Sequence, residues 1–321
     1  MAHQLFAIVS GNKYDITGLI SNLSWSSNVD TLGEELSFDY AKNDYLTIDN
    51  GDFIVLYNDK VLHHYVVVES TEADRNTVSY ECYDYAWWLN KSKTVIQFSK
   101  VSVSTAIEKL CDKFDIMHNI VPIPTLISKI YKDNTVSDII LDLLEQAAQE
   151  TGNKYYMEMV DKELTIRKQT DLLINPTIQL ADNIAAFSLT DFISNPSHKS
   201  SIDELRNNVI VVSNKEDSTS VYAEASDNAN INKYGLLTET VTVDEKDESQ
   251  ARQIAKTTLA DLNKINHEIS LELLGHDDIK AGRLIDINEP ITNIVGRFLI
   301  KSANHTVSNG IHKVSIELGV R

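Results

Sequence analysis

Histidine is the most versatile catalytic and metal-binding side chain, so the spacing of the histidines is the first test for a chemical site. Of nine histidines, His63 and His64 are adjacent on a predicted strand, so one should be packed and the other solvated. His305 and His312 could meet across a hairpin as two metal ligands, but the sequence shows no third ligand. The histidines therefore predict no metal centre.

Motifs for nucleophiles and cofactors do not occur. His267-Glu268 resembles the start of a zinc-protease motif, but Leu271 stands where the second histidine should be. There is no Gly-x-Ser-x-Gly elbow, glycine-rich phosphate loop or Cys-x-x-Cys. Cys82 and Cys111 fall on the apolar sides of a predicted strand and a predicted helix, which is typical of small core residues. We therefore predict no catalytic, cofactor-binding or metal-binding residue, and no cofactor.

Acidic residues, asparagines and tryptophans also give only weak indications of a catalytic or binding site. No spacing singles out a carboxylate pair for glycoside hydrolysis, and Glu34-Glu35 is expected in a solvated turn before a strand. The asparagines of residues 228–232 imitate a calcium loop but lack its glycine, so a polar loop is expected there. Trp87-Trp88 could form a sugar or membrane platform. We favour the alternative that this pair caps a barrel or fills a subunit interface.

The composition narrows the class of protein. Lys and Arg number 29 against 47 Asp and Glu in a chain of 321 residues, and the formal charge of -18 argues against stable nucleic-acid binding. Two cysteines argue against a disulfide scaffold and fit a reducing compartment. No run of about 18 apolar residues and no signal-peptide pattern occurs, so we expect a soluble protein that inserts no segment into a membrane.

Strands are predicted near both ends of the chain. Apolar residues that alternate with polar ones indicate half-buried strands. Four sets do so: Leu36, Phe38 and Tyr40; Val78, Tyr80 and Cys82; Ile269, Leu271 and Leu273; and Val314, Ile316 and Leu318. Continuous apolar runs at residues 53–57, 66–68 and 209–212 predict more fully buried strands.

The middle of the chain changes to a helical period. Apolar residues recur at steps of three and four between residues 103 and 114. The same pattern resumes after Thr135, where a Thr-x-x-Asp box opens a helix that Gly152 closes. Residues 154–168 then predict a small hairpin.

A last helix is expected from Asp244 to about Ile265. Its face formed by Ala251, Ala255 and Leu262 should pack against the second β-rich region. The order of elements is thus β-rich, then a helix pair with a hairpin, then β-rich again with one helix. This order predicts a β-rich α+β fold.

The two β-rich regions resemble each other. Gly51 precedes an apolar run that leads into the strand at Val66, and Gly282 precedes a similar run that leads into the strand at Phe298. Each region reads as a three-strand meander entered through a glycine turn. Two unrelated antiparallel meanders could also look this alike. If the likeness instead reflects an internal duplication, that duplication determines the fold.

An ordered series of short motifs runs through the chain. In the first half they are Asp15-Ile16-Thr17, Asn22-Leu23-Ser24-Trp25-Ser26, Leu36-Ser37-Phe38, Gly51-Asp52-Phe53 and the stretch from Tyr80 to Ala86. In the second half they are residues 206–211, Tyr234-Gly235 and the ending from Gly275 to His312. The series resembles the baseplate hub proteins of contractile-tailed phages and phage-tail-like particles, the late-control-D/XkdQ-like family.

The resemblance implies a homotrimer in which each chain supplies two similar β-barrel tube domains, residues 1–98 and 176–321, to a six-part ring. Residues 99–175 would form a middle domain, a helix pair plus hairpin, outside or below the ring. The ring would join hexameric tail tube subunits to the central spike, with other baseplate proteins and the tape measure protein as further partners. Its place would be the baseplate of a virion or tail-like particle, assembled in the host cytoplasm.

Two classes of function compete at this stage. The first is a structural hub with no chemistry of its own. The second is a cell-wall-degrading hydrolase or peptidase with its site in residues 99–175, where His118 and Cys111 are the only histidine and cysteine. No serine or acid stands at a recognisable spacing from them, so we favour the hub and predict no enzymatic activity. A sheath, tube or type VI spike subunit is a third reading, which the helical middle segment disfavours.

Overall fold

A computed structural model describes residues 3–72, 76–178, 185–214, 220–243 and 249–319. The chain divides into two compact units. The larger unit consists of Met1–Ser197 with Ile269–Arg321, and the smaller unit is His198–Glu268. Strands dominate both ends and helices lie between them, so the expected β-rich α+β class is confirmed. In the part of the chain that is described, no helix is long and apolar enough to cross a membrane.

The helices and strands follow the order expected from the sequence. The first part of the chain forms β1 (Gln4–Val9), β2 (Asn12–Asp15), β3 (Ile20–Asn28), β4 (Thr31–Ala41), β5 (Phe53–Asn58), β6 (Lys60–Glu72) and β7 (Thr77–Tyr83). The middle forms α1 (Ala86–Lys91), β8 (Lys93–Ser102), α2 (Val103–Lys113), β9 (Met117–Ile120), β10 (Leu126–Thr135), α3 (Val136–Thr151), β11 (Tyr155–Val160) and β12 (Glu163–Lys168).

The last part is again rich in strands. It begins with the short β13 (Leu173–Ile174), β14 (Thr177–Ile178) and β15 (Phe187–Ser188), followed by β16 (Ser194–Ser201). Next come β17 (Asn208–Ser213), β18 (Val221–Ser226), α4 (Asn228–Tyr234), β19 (Thr238–Val243) and α5 (Ala251–Leu262). The chain then forms β20 (Asn266–Leu274), β21 (Leu284–Glu289), β22 (Ile294–Ser308) and β23 (Ile311–Gly319).

One large sheet joins strands from both ends of the chain. Its order is β16-β20-β23-β22-β3-β4-β7-β6-β5-β1-β2, with β21 beside β22 and β13 beside β21. The two closed barrels expected at residues 1–98 and 176–321 are therefore not found, because the described strand pairings form one open sheet. The reason is β22, which pairs with β21 through residues 294–299 and with β3 through residues 302–307.

The two glycines singled out in the sequence occupy equivalent turns. Gly51 and Gly282 have φ values of +99° and +80°, which favour glycine. The Gly51 amide donates to the Val67 carbonyl at 2.8 Å, and the Gly282 amide donates to the Ile300 carbonyl at 2.9 Å. Val67 and Ile300 each donate back to the residue that follows the glycine. The expected equivalence of the two turns is confirmed.

The equivalence extends along the strands. The order β4-β7-β6-β5 of the first half matches the order β20-β23-β22-β21 of the second half. In each half the strand pairing shifts register one residue after the hydrogen bond to the glycine. The β6–β7 pairing shifts at Val68, after Val67, and the β22–β23 pairing shifts at Lys301, after Ile300. Because bulges are specific local features, their coincidence shows that the halves share one plan. By this plan β3 corresponds to β16.

All four alternating sets of apolar residues lie on buried faces, as expected. The sets on β4 and β7 belong to one core, and those on β20 and β23 belong to a separate core of the larger unit. Opposite residues match between the halves: Leu36 faces Cys82, and Ile269 faces Leu318. Each half therefore buries its own apolar face.

The middle segment, α1 to β12, contains the predicted helix pair and hairpin. The Thr135 hydroxyl accepts from the Asp138 amide, and Gly152 ends α3 with a φ of +71°. Strands β11 and β12 pair antiparallel, with β9 parallel beside β12. The core of this segment includes Ala86 and Leu89 of α1 as well as the apolar faces of α2 and α3. It thus begins before the expected boundary at residue 99.

The smaller unit is a three-stranded sheet covered by a helix. Strand β17 lies between the antiparallel β18 and the parallel β19. Ala251 and Ala255 of α5 are buried with Val209 and Val211 of β17. The expectation that this helix packs on a second barrel is corrected, because it covers a small sheet of its own unit.

The two helices of the smaller unit differ in part from the sequence-based expectations. The expected start of the last helix at Asp244 lies outside the described residues, and the helix as described begins at Ala251. Residues 228–232, expected as a polar loop, begin helix α4. The reason is Asp227, whose carboxylate accepts from the Ala229 and Asn230 amides and caps the helix.

Replacing Ala255 with Glu should destabilise the smaller unit by several kcal/mol, because Ala255 is fully buried among apolar side chains and a carboxylate there would be buried without compensation. Ala260→Glu is the matched control, since Ala260 is exposed on the same helix. Urea unfolding together with limited proteolysis of residues 198–268 measures the effect. Equal loss in both variants would contradict the packing of α5.

The two equivalent glycines should differ in their tolerance of a methyl group. A Cβ at Gly51 meets nothing within 4 Å, whereas a Cβ at Gly282 would lie 2.3 Å from the ring of Tyr156. Gly51→Ala should therefore cost about 1–2 kcal/mol of backbone strain. Gly282→Ala should cost a further 1–3 kcal/mol, roughly the usual overpacking penalty. Equilibrium unfolding of both variants tests this, and similar losses would show that Tyr156 yields without cost.

Candidate functional site

Charged and polar side chains are buried inside the larger unit where its two halves and the middle segment meet. They are Glu34, His63, Asp84, Glu158, Arg283 and His305, with Lys280 partly buried among them. Burying ionisable groups is costly unless they are paired. Their arrangement therefore needs a structural or chemical explanation.

The carboxylate of Glu158, in β11, forms ion pairs with two positively charged side chains. Arg283 Nη2 lies 2.7 Å and Lys280 Nζ lies 3.2 Å from Glu158 Oε2. Burial opposes ionisation of this carboxyl, but the two positive charges outweigh it and hold the pKa of Glu158 below its usual value. The pairing ties the hairpin of the middle segment to the turn before β21.

Glu34 of β4 forms the second acidic centre. Its carboxylate accepts from the Tyr65 hydroxyl at 3.2 Å, and His63 Nε2 and Lys280 Nζ lie 3.4 and 3.8 Å from Oε1. Burial works against its charge, but His63 and Lys280 outweigh that effect and lower the pKa of Glu34. Burial also lowers the pKa of His63. The expectation of a solvated turn at Glu34 was wrong, because β4 carries this side chain inward.

Asp84, directly after β7, is almost fully enclosed. Its carboxylate accepts from the backbone amides of Glu34 and Ala86, each at 2.9 Å. Burial and the nearby charge of Glu34 raise the pKa of Asp84 to about 7. Asp84 thereby fixes the start of α1 against β4. The contact with the Glu34 amide connects chain segments that are 50 residues apart.

Aromatic rings gather at the pairing of residues 23–28 with residues 302–307, which we call the seam. Trp25 and His305 are cross-strand partners whose rings stack at 4.8 Å with an interplanar angle of 5°. His305 Nδ1 lies 2.9 Å from His312 Nε2, so the two histidines do meet across the hairpin. Burial lowers the pKa of His305 to about 4 and that of His312 to about 3. Both imidazoles are therefore neutral near pH 7.

His63 and His64 point to opposite faces of β6, as the strand period requires. His63 is buried beside Glu34, whereas His64 is partly buried with Nδ1 2.5 Å from Asp161 Oδ1. The expected solvated histidine thus contacts the turn of the β11–β12 hairpin. Both histidines connect the first half to neighbouring segments.

The two cysteines are core residues, as expected. Cys82 and Cys111 are fully buried. Burial raises the pKa of both thiols, that of Cys111 to about 12, so neither forms a thiolate near neutral pH. His118 Nδ1 lies 3.3 Å from the Ile116 carbonyl oxygen. Among the described residues of the middle segment, no hydrogen bond joins His118 to Cys111.

The tryptophan pair lies on α1. Trp88 contacts Phe53 of β5, and Trp87 meets the Trp88 ring edge-on at 5.6 Å. Tyr85 packs on the same two residues, Phe53 and Trp88. Trp88 and Tyr85 thus pack α1 and the residue before it onto β5. The sugar or membrane platform has no further support in these contacts.

Sequence reasoning missed the charged centre. Glu158 stands between Met157 and Met159 in an apolar strand, and Arg283 opens an apolar run directly after Gly282. A charged residue inside an apolar strand could have indicated this centre, because a buried charge needs a partner. Which partner it finds depends on the tertiary arrangement.

Solved structures show the same fold at low sequence identity. The 43 kDa tail protein of prophage MuSo2 from Shewanella oneidensis aligns over 99% of this chain and 98% of its own, with 11% identity and a TM-score of 0.68. The tail protein from Neisseria meningitidis MC58 aligns over 99% of this chain and 96% of its own, with 14% identity and a TM-score of 0.64. The fold is thus that of phage tail proteins.

Sequence relatives cover most of the chain. The phage-like element PBSX protein XkdQ of Bacillus subtilis strain 168 is 24% identical over 283 residues, which cover 85% of this chain and 83% of that protein. A family model described as YQBQ-like matches residues 23–319, that is, the chain from within β3 to the end of β23. The resemblance drawn from the ordered motifs is confirmed. This chain belongs to the YQBQ-like family.

Proposed function

We propose that this chain is a structural protein of a phage tail or phage-tail-like particle and serves as the baseplate hub between tail tube and central spike. The family, the PBSX relative and the fold of tail proteins support the coarse assignment. The finer assignment rests on one observation, the internal repeat whose two halves are joined at the seam.

The seam suggests how chains would join in a ring. Strand β3 of the first half pairs with residues 302–307 of β22 in the second half. By the repeat, β16 corresponds to β3, and the end of β6 after Val67 corresponds to residues 302–307. In a ring, β16 of one chain would pair with residues 69–72 of β6 in the next chain.

Neither of these two strand edges has a second strand partner among the residues that the structure describes. Residues 69–72 pair with β7 on one side, are exposed, and have no second strand neighbour among the described residues. Strand β16 is the last strand in the sheet order, with β20 as its one described neighbour. Unpaired edges invite association. Because the contact joins two different edges, it propagates head to tail and closes as a ring when the rotation fits.

Three chains with two similar halves each would present six similar units. Such a ring matches a hexameric tail tube on one side and a three-fold spike on the other. Residues 1–98 and 176–321 would supply the ring units, with residues 99–175 attached outside or below. Other baseplate proteins and the tape measure protein are further proposed partners, and the baseplate of a particle assembled in the host cytoplasm is the proposed location.

The proposal assigns no enzymatic activity to the chain. Glu158 is paired with Lys280 and Arg283, Asp84 accepts from two backbone amides, and both cysteines are enclosed. The formal charge of -18 suits a conduit, because like charge keeps DNA from adhering as it passes.

Cysteines placed on the two free edges should capture the ring as a covalent trimer. We expect Thr71→Cys combined with Ser197→Cys to form interchain disulfides under mild oxidation, because both positions are exposed on the edges proposed to pair. Non-reducing electrophoresis and light scattering of the full chain, alone or co-expressed with its spike, measure the product. Ser26→Cys with Asn304→Cys is the positive control, since these residues face each other within one chain.

Each single variant tests the geometry. Thr71→Cys alone should give no covalent product, because a head-to-tail contact never brings the same residue of two chains together. Efficient dimers of the single variant would instead indicate a two-fold contact. A stable dimer under all conditions would count against the hub.

The purified chain should not cleave peptidoglycan. Release of soluble fragments from labelled cell walls measures the activity, with lysozyme as positive control. Turnover that survives purification and disappears in a His118→Ala variant would favour the hydrolase alternative, because His118 is the histidine of residues 99–175.

A further inference from the structure

Three side chains suited to metal binding converge in the larger unit. His3 directly precedes β1, Asp277 lies between β20 and β21, and His312 is on β23. One ligand atom of each lies within 4.8 Å of those of the other two. His3 Nε2 is 2.8 Å from Asp277 Oδ1, and the rings of His3 and His312 are 4.6 Å apart. The sequence showed no third ligand for His305 and His312, and the tertiary fold brings His3 and Asp277 to His312.

A chain of hydrogen bonds determines which nitrogen of His312 is free. The Ile279 carbonyl oxygen can only accept, so His305 Nε2, at 2.6 Å, must carry a proton and donate it. His305 Nδ1 is then the acceptor for His312 Nε2 at 2.9 Å. His312 therefore keeps an unprotonated Nδ1. A second residue that orients a ligating histidine in this way is a usual feature of metal sites.

Asp277 is likewise held in place. The Asn58 amide donates to Asp277 Oδ2 at 2.7 Å, which leaves Oδ1 for His3 or a cation. Asn58 Oδ1 is buried without a hydrogen-bond partner in the described structure. The Asn58 contact thereby holds the Asp277 carboxylate in one orientation, with Oδ1 turned toward His3.

We propose that His3, Asp277 and His312 bind one divalent transition-metal cation, with His305 and Asn58 orienting two of the ligands. Two imidazoles and one carboxylate form a donor set that zinc accepts, with water completing the coordination. The calcium class is disfavoured because it prefers oxygen ligands alone.

The bound cation would connect the two halves of the larger unit. His3 belongs to the first half, and Asp277 and His312 belong to the second half. Trp25 of the seam packs against the rings of both His3 and His312. The site would therefore stabilise the folded chain next to the seam, and this role does not rest on the hub proposal.

Calorimetric titration of the chelator-treated full chain with ZnCl2 tests the proposal. We expect one zinc per chain and a metal-dependent rise in Tm, because a ligand that binds the folded state stabilises it. Asp277→Asn should weaken zinc binding about a hundredfold or more and abolish the rise in Tm. Cobalt should give the visible absorption of a low-symmetry site in the unaltered chain and lose it in this variant.

Two further variants make the result decisive. His3→Gln removes a ligand next to the chain terminus and carries the test if Asp277→Asn fails to fold. His267→Gln is the control, because it removes a histidine of the exposed His198–His267 pair, which could bind zinc adventitiously. Absence of stoichiometric zinc binding, unchanged binding in His3→Gln, or loss of binding in His267→Gln would overturn the proposal. None of these results would affect the trimer test.

Discussion

The length of β22 is the constraint on which the larger unit depends. This strand has 15 residues, and one of its edges is shared by two partners, β21 along the first part and β3 along the second. Buried backbone groups must be paired, and residues 302–307 of β22, which extend beyond β21, are paired with β3. The first half of the chain supplies that strand. A single open sheet results in place of two separate barrels.

The segment between β20 and β21 is the second feature that unites the unit. The Ile279 carbonyl accepts from His305, the Ala281 amide donates to the Ser27 hydroxyl, and the Gly282 amide bonds the Ile300 carbonyl. Lys280 and Arg283 of the same segment neutralise Glu158 of the middle segment. Truncating one partner of such a buried pair leaves a charge without compensation, which is more costly than the pair is favourable. The ionic contacts thus specify how the hairpin docks.

The two halves share their backbone plan but not their side chains. Asp52 stands where Arg283 stands in the second half, and the part of β6 that corresponds to the seam is exposed and polar. The seam within the chain instead contains Trp25 and neutral histidines packed ring on ring. The seam and the contact proposed for residues 69–72 would therefore have equivalent backbones but different side chains, and they would differ in strength and chemistry.

The local structure of this protein follows from residues that are close in the chain. Alternation at Leu36, Phe38 and Tyr40, the cap at Thr135 and the turn glycines Gly51 and Gly282 depend on residues close in the chain, so periodicity and backbone preference suffice to predict them. Three other features are visible only in the folded chain: the sheets do not close, α5 belongs to a separate unit, and Glu34 is buried. The approach of His3 and Asp277 to His312 is likewise visible only there. These outcomes depend on which strand edges and which charges meet across hundreds of residues, and no local pattern encodes a partner at that distance.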